Sequence, residues 1–231
     1  MDVLSRAAAR QQNLILSLEP PFWNGKAPEG RSPGKAELEP DPTYQLKSGF
    51  MEKNRLNVLN VRDGWTRRAE DGQLRGLARA LGWENHYWPN AATLPWAHGN
   101  NRFALPATTF GELAKHVKQQ LKARAIRCIG DPKISTVNVA VTHGYFLVTD
   151  LEKVLEDPAV DVVICGEACE WEAAPYFMDL IASGQRKGMI LLGNQVSSDP
   201  GCGELATWAR GFISEVSLEW QPAGEPFQVV G

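Results

Sequence analysis

The feature of this sequence that most constrains its fold is a regular alternation of short apolar runs with longer amphipathic segments. The apolar runs predict strands at residues 13–17, 56–61, 125–130, 137–141, 161–165, 189–192 and 215–220. The amphipathic segments predict helices at residues 1–10, 44–54, 71–81, 110–124, 150–156, 172–183 and 200–212. Such alternation is typical of α/β proteins with helices flanking a mixed sheet. The predicted fold class is therefore α/β.

Two stretches interrupt the alternation and indicate how the chain is organised. Residues 19–42 contain six prolines, which predicts a long loop. Residues 83–103 are rich in aromatic residues and asparagine, and we interpret them as a linker between two lobes. A chain of 231 residues is long enough for two small lobes. The expected domains are an N-terminal lobe over residues 1–102 and a C-terminal lobe over residues 103–231.

Composition favours some partners and compartments over others. A formal net charge of -3 gives no reason to expect a nucleic-acid or membrane partner. No apolar run approaches the ~18 residues that span a bilayer, and the first residues lack the apolar stretch of a signal peptide. The four cysteines form no C-x-x-C pair, which favours free thiols in a reducing compartment. The expected location is cytoplasmic.

The usual signatures of metal, nucleotide and hydrolase sites are missing from the sequence. The four histidines are isolated, with no pair at a ligand spacing such as H-x-x-x-H, and Cys165 and Cys169 match a zinc knuckle poorly. The sequence contains neither a G-x-x-x-x-G-K-[ST] loop nor a G-x-S-x-G elbow. No cofactor is therefore expected, and a divalent metal is the less favoured alternative.

Polar side chains follow four of the predicted strands. In open α/β sheets ligands bind beyond the carboxyl ends of strands, so these residues are candidates for a shared polar cleft. The alternative is that they cap helices or face water. The residues are Glu19, Asp63, Glu167, Glu170 and Asn194.

Five arginines cluster in the sequence around the second strand end. Arg75 and Arg79 are four residues apart and share a helix face, for which a solvated surface is the expected role. Arg62, beside Asp63, is a candidate for binding an anion.

Several of these segments resemble one known family. In chain order they are residues 13–23 (NLILSLEPPFW, compared with NLIxTHEPxFW), 59–66 (LNVRDGWT, with xRxHDxW followed by D or H), 71–83 (with DGI…LGW), 166–179 (GEACEWEAAPYFMD, with GExxEWExxxYxxD), 193–201 (GNQVSSDPG, with GHxxSEPG) and 222–227 (PAGEPF, with PAGDPF). The patterns are those of the Nif-three-like family, and the resemblance runs in order over almost the whole chain. It implies two similar α/β lobes assembled into a toroidal hexamer, with an N-terminal lobe that is shortened at its start.

The same resemblance implies a dinuclear metal centre whose ligands have been replaced here. Many members carry the name of a type-two GTP cyclohydrolase I, and histidines and carboxylates hold their metals. Those ligand positions fall on Leu18, Arg62, Thr66, Asn194 and Ser198. Leucine cannot ligate, arginine adds a fixed positive charge, and the other three are weak neutral ligands. A shift of one residue would bring in Asp63 or Asp199, but Arg62 would still oppose a cation.

Three functions remain open from the sequence. The first is a divergent member without dimetal chemistry that binds a small polar or anionic molecule, as a scaffold or as a metal-free acid–base enzyme. The second is a metal-dependent hydrolase with a rearranged carboxylate site. The third is a structural subunit that assembles with an intact paralogue. In the first, Glu19, Asp63, Glu167 and Glu170 are the candidate catalytic residues, and the candidate ligand-binding residues are Arg62, Trp65, Thr66, Trp171, Asn194 and Ser198.

Overall fold

The computed structural model describes residues 1–22, 34–88 and 101–230. Contacts along this chain define two compact units, Met1–Trp65 and Thr66–Gly231. Residues 23–33 of the predicted loop and residues 89–100 of the predicted linker lie outside the described residues. The units are defined by contacts and not by the sequence resemblance, so the lobe boundary at residue 102 stays a prediction.

The first unit is a small parallel sheet with helices against one face. Its strands pair in register from Leu14 with Asn57 to Ser17 with Asn60. On the covered face, Leu4 and Ala7 of the first helix pack with Leu56 in a small buried cluster. Its elements are α1 (Asp2–Ala9), β1 (Leu14–Ser17), α2 (Lys35–Leu38), α3 (Pro42–Lys53), β2 (Asn57–Asn60) and α4 (Arg62–Thr66), whose last residue is the first of the second unit.

The second unit carries the larger sheet. Its helices are α5 (Gly72–Leu81), α6 (Phe110–Gln120), α7 (Val148–Glu156), α8 (Glu170–Ala182) and α9 (Asn194–Arg210). Its strands are β3 (Arg102–Thr109), β4 (Arg127–Ile129), β5 (Ser135–Val141), β6 (Tyr145–Phe146), β7 (Val162–Cys165), β8 (Glu167–Ala168) and β9 (Gly188–Leu191).

The main sheet of the second unit is mixed, with the strand order β3-β5-β7-β9-β4. Strands β5, β7 and β9 run parallel, and the antiparallel β3 and β4 form the two edges. One face is covered by α5, α6 and α9, and the other by α7 and α8, so the side chains of successive strand residues enter two separate buried clusters. The unit is a three-layer α/β sandwich, which confirms the predicted fold class.

Two glycines allow α5 and α9 to pack backbone against backbone. A Cβ atom on Gly76 would lie 2.5 Å from the carbonyl oxygen of Pro200 and 2.7 Å from the Cα of Gly201. A Cβ atom on Gly201 would in turn lie 2.6 Å from the Cα of Gln73. Any side chain at either position would force the helices apart, because real Cβ atoms do not approach backbone so closely. This contact fixes the start of α5 relative to the start of α9.

The structure corrects several predicted elements. The strand predicted at residues 215–220 has no regular structure, because no other segment of the described chain pairs with it. Helix α9 begins six residues before Pro200, so that proline lies inside the helix and not at its first position. Strand β3 was not predicted, and its first two residues fall in the predicted linker. It is an edge strand that contains Pro106, and its register shifts between Ala104 and Thr108. Helix α7 begins at Val148, two residues before the predicted start at residue 150, and has no side-chain cap.

Candidate functional site

In the first unit, the carboxyl ends of β1 and β2 bring Glu19 and Arg62 together. The guanidinium group of Arg62 forms an ion pair with the Glu19 carboxylate. Its Nε also donates a hydrogen bond of 2.8 Å to the carbonyl oxygen of Leu18. The side chains of Arg62 and Glu19 are 45% and 60% exposed, so solvent screens the pair. The parallel pairing of β1 with β2 accounts for the contact between these two residues.

The other sequence-predicted residues of this region lie on α4. Asp63 stands in the first turn of that helix, where a carboxylate interacts favourably with the helix dipole. Trp65 is only 4% exposed, so its side chain is part of the protein interior. Thr66 is the last residue of the helix.

In the second unit, the predicted residues lie on two different loops of the sheet. Glu167 belongs to the short strand β8 and is paired with Tyr145 of β6. Glu170 begins α8 and forms an exposed ion pair with Arg127 of the edge strand β4. Trp171, the next residue, is 79% exposed.

Asn194 and Ser198 stand one turn apart at the start of α9. The hydroxyl of Ser198 donates a hydrogen bond of 3.2 Å to the amide oxygen Oδ1 of Asn194. Neither side chain is fully exposed. The amide oxygen that would have to face a metal therefore already accepts a hydrogen bond within the helix.

The three loops that follow β5, β7 and β9 are hydrogen-bonded to one another. The Gly144 amide donates to the buried hydroxyl of Ser197 at 3.0 Å, and the Gly144 carbonyl accepts from Glu167 N at 2.8 Å. The Gly166 carbonyl accepts from Gly193 N, also at 2.8 Å. The loop after β7 leads to α8 on one face and the loop after β9 leads to α9 on the other. Ligand crevices in α/β sheets form where connections diverge in this way.

Beside this crevice lies a histidine–aspartate pair that the sequence reasoning missed. His143 follows β5, and its Nε2 is 2.7 Å from Oδ2 of Asp71. The other carboxylate oxygen of Asp71 caps α5 by accepting hydrogen bonds from Gln73 N at 2.8 Å and Leu74 N at 3.2 Å. The two side chains are 20% and 12% exposed.

The sequence did contain a signal for this pair. Strand 137–141 is followed by Thr142, His143 and Gly144, and the rule that placed Glu167 at a strand end applies equally to His143. Residue spacing tests His143 only as a metal ligand, and no second histidine lies at a ligand spacing from it. Asp71 was visible as the start of a helix, but only the structure shows its second oxygen directed at the imidazole.

The residues present do not fit the dinuclear metal centre that the resemblance implies. Leu18 is 6% exposed and packs as an ordinary apolar residue, and Arg62 brings a cation already paired with Glu19. Asn194 and Ser198 satisfy each other. Among residues 1–22, 34–88 and 101–230, no group of three or more histidines, cysteines or acids is arranged to hold a metal ion.

The cysteines are also poor candidates for nucleophilic chemistry. All four are free thiols. Burial raises the pKa of Cys165 to about 12, and burial with the nearby Asp199 raises that of Cys202 to about 12. Because the thiolate is the reactive form, these two thiols are inert near neutral pH.

A small pocket of about 210 Å³ lies near the amino-terminal ends of β5 and β9. It is lined in part by Asp131, Gln185 and Lys187. The Lys187 ammonium donates hydrogen bonds to the carbonyl oxygens of Asp157 and Val160 at 2.7 and 2.8 Å. Burial lowers the pKa of Lys187, an effect that Asp157 and Asp161 oppose. The lysine thus secures the turn before β7, and the pocket does not adjoin the strand ends that carry the candidate residues.

Comparison with known proteins agrees with the fold. No protein-family model matches this sequence, and no curated protein matches it. Among solved structures, Staphylococcus aureus protein SA1388 superposes with a TM-score of 0.71 at 14% identity, over 99% of this chain and 84% of that chain. A Bacillus cereus protein related to NIF3 gives 0.68 at 14% identity, over 91% and 80%. The protein ybgI, of unknown function, gives 0.66 at 17% identity, over 91% and 76%.

These comparisons identify the class of fold and then its particular form. The chain is an α/β protein whose candidate site lies at the carboxyl ends of parallel strands. Its fold is that of the NIF3-related structures, as the sequence resemblance predicts. At these identities the similarity defines the fold alone. Within the described ranges, no helix is long and apolar enough to cross a membrane.

Proposed function

We propose that the protein is a divergent Nif-three-like protein that binds a small polar or anionic molecule without a dinuclear metal centre. The observation that carries this proposal is the position of Arg62. Its guanidinium lies at the strand ends of the first unit, where the resemblance expects a metal-binding histidine, and it is held there by Glu19 and the Leu18 carbonyl.

The chemistry of these side chains favours an anion or a polar molecule over a cation. A guanidinium is always charged and presents donors that match carboxylate and phosphate groups. A divalent cation at the same place would be repelled by the guanidinium. The positions at which the resemblance implies metal ligands also contain no histidine and no carboxylate. Within the second unit taken by itself, Thr66, Asn194 and Ser198 offer neutral hydrogen-bonding groups, which also suit a polar ligand better than a cation.

Two further parts of the proposal come from the resemblance and from the free thiols, respectively. The protein would assemble into a ring of several copies and would act in the cytoplasm. A hydrolase that uses a rearranged carboxylate site is the weaker alternative, because Glu19 and Glu170 are both engaged in ion pairs with arginines.

Anion binding is tested by calorimetric titration with phosphate and citrate as probes. Binding of at least one probe is expected for the wild type, with a loss of about tenfold in affinity for Arg62→Ala. Arg6→Ala is the matched control, since Arg6 forms an ion pair with Asp2 on α1 of the same unit. The proposal is wrong if no probe binds, or if both variants weaken binding equally.

A further inference from the structure

The carboxyl end of β5 carries a second set of functional groups that does not involve Arg62. His143 is the only histidine with a carboxylate partner in the described part of the chain. Its Nε2 faces Asp71, and no hydrogen-bond partner of Nδ1 is found among the described residues. Since the side chain is 20% exposed, Nδ1 is not sealed from solvent.

The Asp71 carboxylate fixes which ring nitrogen carries the proton. The amides of Gln73 and Leu74 both donate to Oδ1, so that oxygen is occupied and the carboxylate sits at the positive end of the α5 dipole. Oδ2 can then only accept from Nε2–H, because a carboxylate has no proton to donate. In the neutral ring this leaves the lone pair on Nδ1, which is the arrangement of a general base with an orienting carboxylate.

The surroundings of His143 leave room for a small molecule. A Cβ atom built on Gly144 or on Gly193 would meet nothing within 4 Å. Gly166, in the loop between them, has no space for a side chain, since its Cβ would be 2.4 Å from both the Gly144 carbonyl oxygen and the Ser197 hydroxyl. The loops are therefore tightly joined at Gly166 and open at Gly193 and at Gly144, the residue that follows His143.

We infer that His143 is a proton-transfer residue and Asp71 its positioning residue. Nδ1 takes a proton from a water molecule, the water oxygen forms a bond to the carbonyl carbon of a small polar ester or amide, and the bond from that carbon to the ester oxygen or amide nitrogen breaks. The imidazolium keeps its Nε2–H bond to Asp71 and gives the proton to the departing oxygen or nitrogen, so no other reactant is needed. The inference goes beyond the proposed anion binding and does not depend on it.

The test uses 4-nitrophenyl acetate, whose hydrolysis reports water activation by an imidazole. Nδ1 removes a proton from water, the water oxygen bonds to the acyl carbon, the bond to nitrophenolate breaks, and the proton leaves to solvent. The wild type is expected to hydrolyse more than one ester molecule per chain. Its rate of hydrolysis should exceed that of free imidazole at the same concentration. His143→Gln should lower this rate by about 10²-fold, the low end of general-base contributions.

Asp71→Asn separates a catalytic role from a structural one. The asparagine oxygen still caps α5, since Asn is as good a cap as Asp, so the fold is retained. Its NH2 group then faces Nε2, which moves the ring proton to Nδ1 and removes the base. The ester rate should fall as in His143→Gln, and imidazole ¹⁵N spectra should show the exchange of tautomer.

His116→Gln is the matched control. The Nε2 of His116 lies 3.1 Å from the Leu81 carbonyl, and its ring stacks on Trp83, so it is a tertiary contact without a carboxylate. Its loss should leave the ester rate unchanged. The inference is overturned if the wild type is no faster than free imidazole, or if Asp71→Asn changes tautomer and keeps the wild-type rate. Should His143→Gln fail to fold, Asp71→Asn alone decides the question.

Discussion

Replacing Gly76 by alanine tests the helix contact that places Asp71 and the start of α9 around His143. The new Cβ would lie 2.5 Å from the Pro200 carbonyl oxygen, 0.9 Å closer than the 3.4 Å at which ordinary contact begins. The neighbours are backbone atoms, so they cannot rotate away. Overpacking of this kind costs about 3 kcal/mol and the better helix propensity of alanine returns about 1 kcal/mol, for a net loss of about 2 kcal/mol.

Gly49→Ala is the control for this prediction, because Gly49 stands inside α3 and its added Cβ would meet nothing within 4 Å. Only helix propensity then applies, and stability should rise by up to about 1 kcal/mol. Urea unfolding of both variants, followed by circular dichroism, gives the two signs. The packing argument is refuted if the two variants change the free energy of unfolding in the same direction, or if the Gly76→Ala protein is as stable as the wild type.

Three further predictions concern charge and assembly. Arg62→Ala should change the free energy of unfolding by less than about 1 kcal/mol, because the ion pair with Glu19 is exposed; a loss above about 3 kcal/mol in urea melts would show that the pair is buried. Burial raises the pKa of Asp157, but the Ala159 amide and the Arg102 guanidinium outweigh it and leave the pKa below its ordinary value of 3.8. Asp157→Asn should therefore lower the free energy of unfolding by about 1–3 kcal/mol at neutral pH, since Arg102 is buried. The difference in stability between the wild type and the variant should close as the pH falls below 3.8. A difference that is constant from pH 3 to pH 6 would contradict this. Light scattering should show a particle larger than a dimer, of roughly six chains, whereas a monodisperse monomer of 25.5 kDa would refute the assembly.

Sequence periodicity was sufficient to predict the buried parallel strands and most of the helices. Residues 162–165 and 189–192 are continuous apolar runs of the kind that fully buried strands require, and β7 and β9 are buried at every position. The first helix of the larger unit was predicted to start at Asp71, and that residue is its cap. In these segments local propensity and tertiary packing favour the same structure.

The misplaced elements are those where tertiary context overrides the local signal. Residues 215–220 alternate like a strand, but a strand needs a paired neighbour, and none of the described segments provides one. Residues 102–109 contain Pro106, which has no N–H to donate, yet an edge strand tolerates proline at an irregularity in the pairing. Pro200 suggested a helix start because proline favours the first turn, whereas here α9 continues through it.

For the candidate site, the sequence placed individual residues at strand ends but could not pair them. Glu19 and Arg62 are 43 positions apart, and only the parallel register of β1 and β2 brings their ends together. Asp71 and His143 are farther apart still, and their contact depends on the packing of α5 over β5. The geometry that gives a histidine its tautomer is a tertiary property, which residue spacing does not contain.

The central claim is that this chain has exchanged a dinuclear metal centre for a metal-free polar site. The most direct test is elemental analysis of tag-free protein after expression in medium supplemented with zinc, iron, manganese and cobalt. The side chains at Leu18, Arg62 and Asn194 predict that no such ion is present in stoichiometric amount. One or more of these ions per chain, retained through dialysis, would contradict the claim.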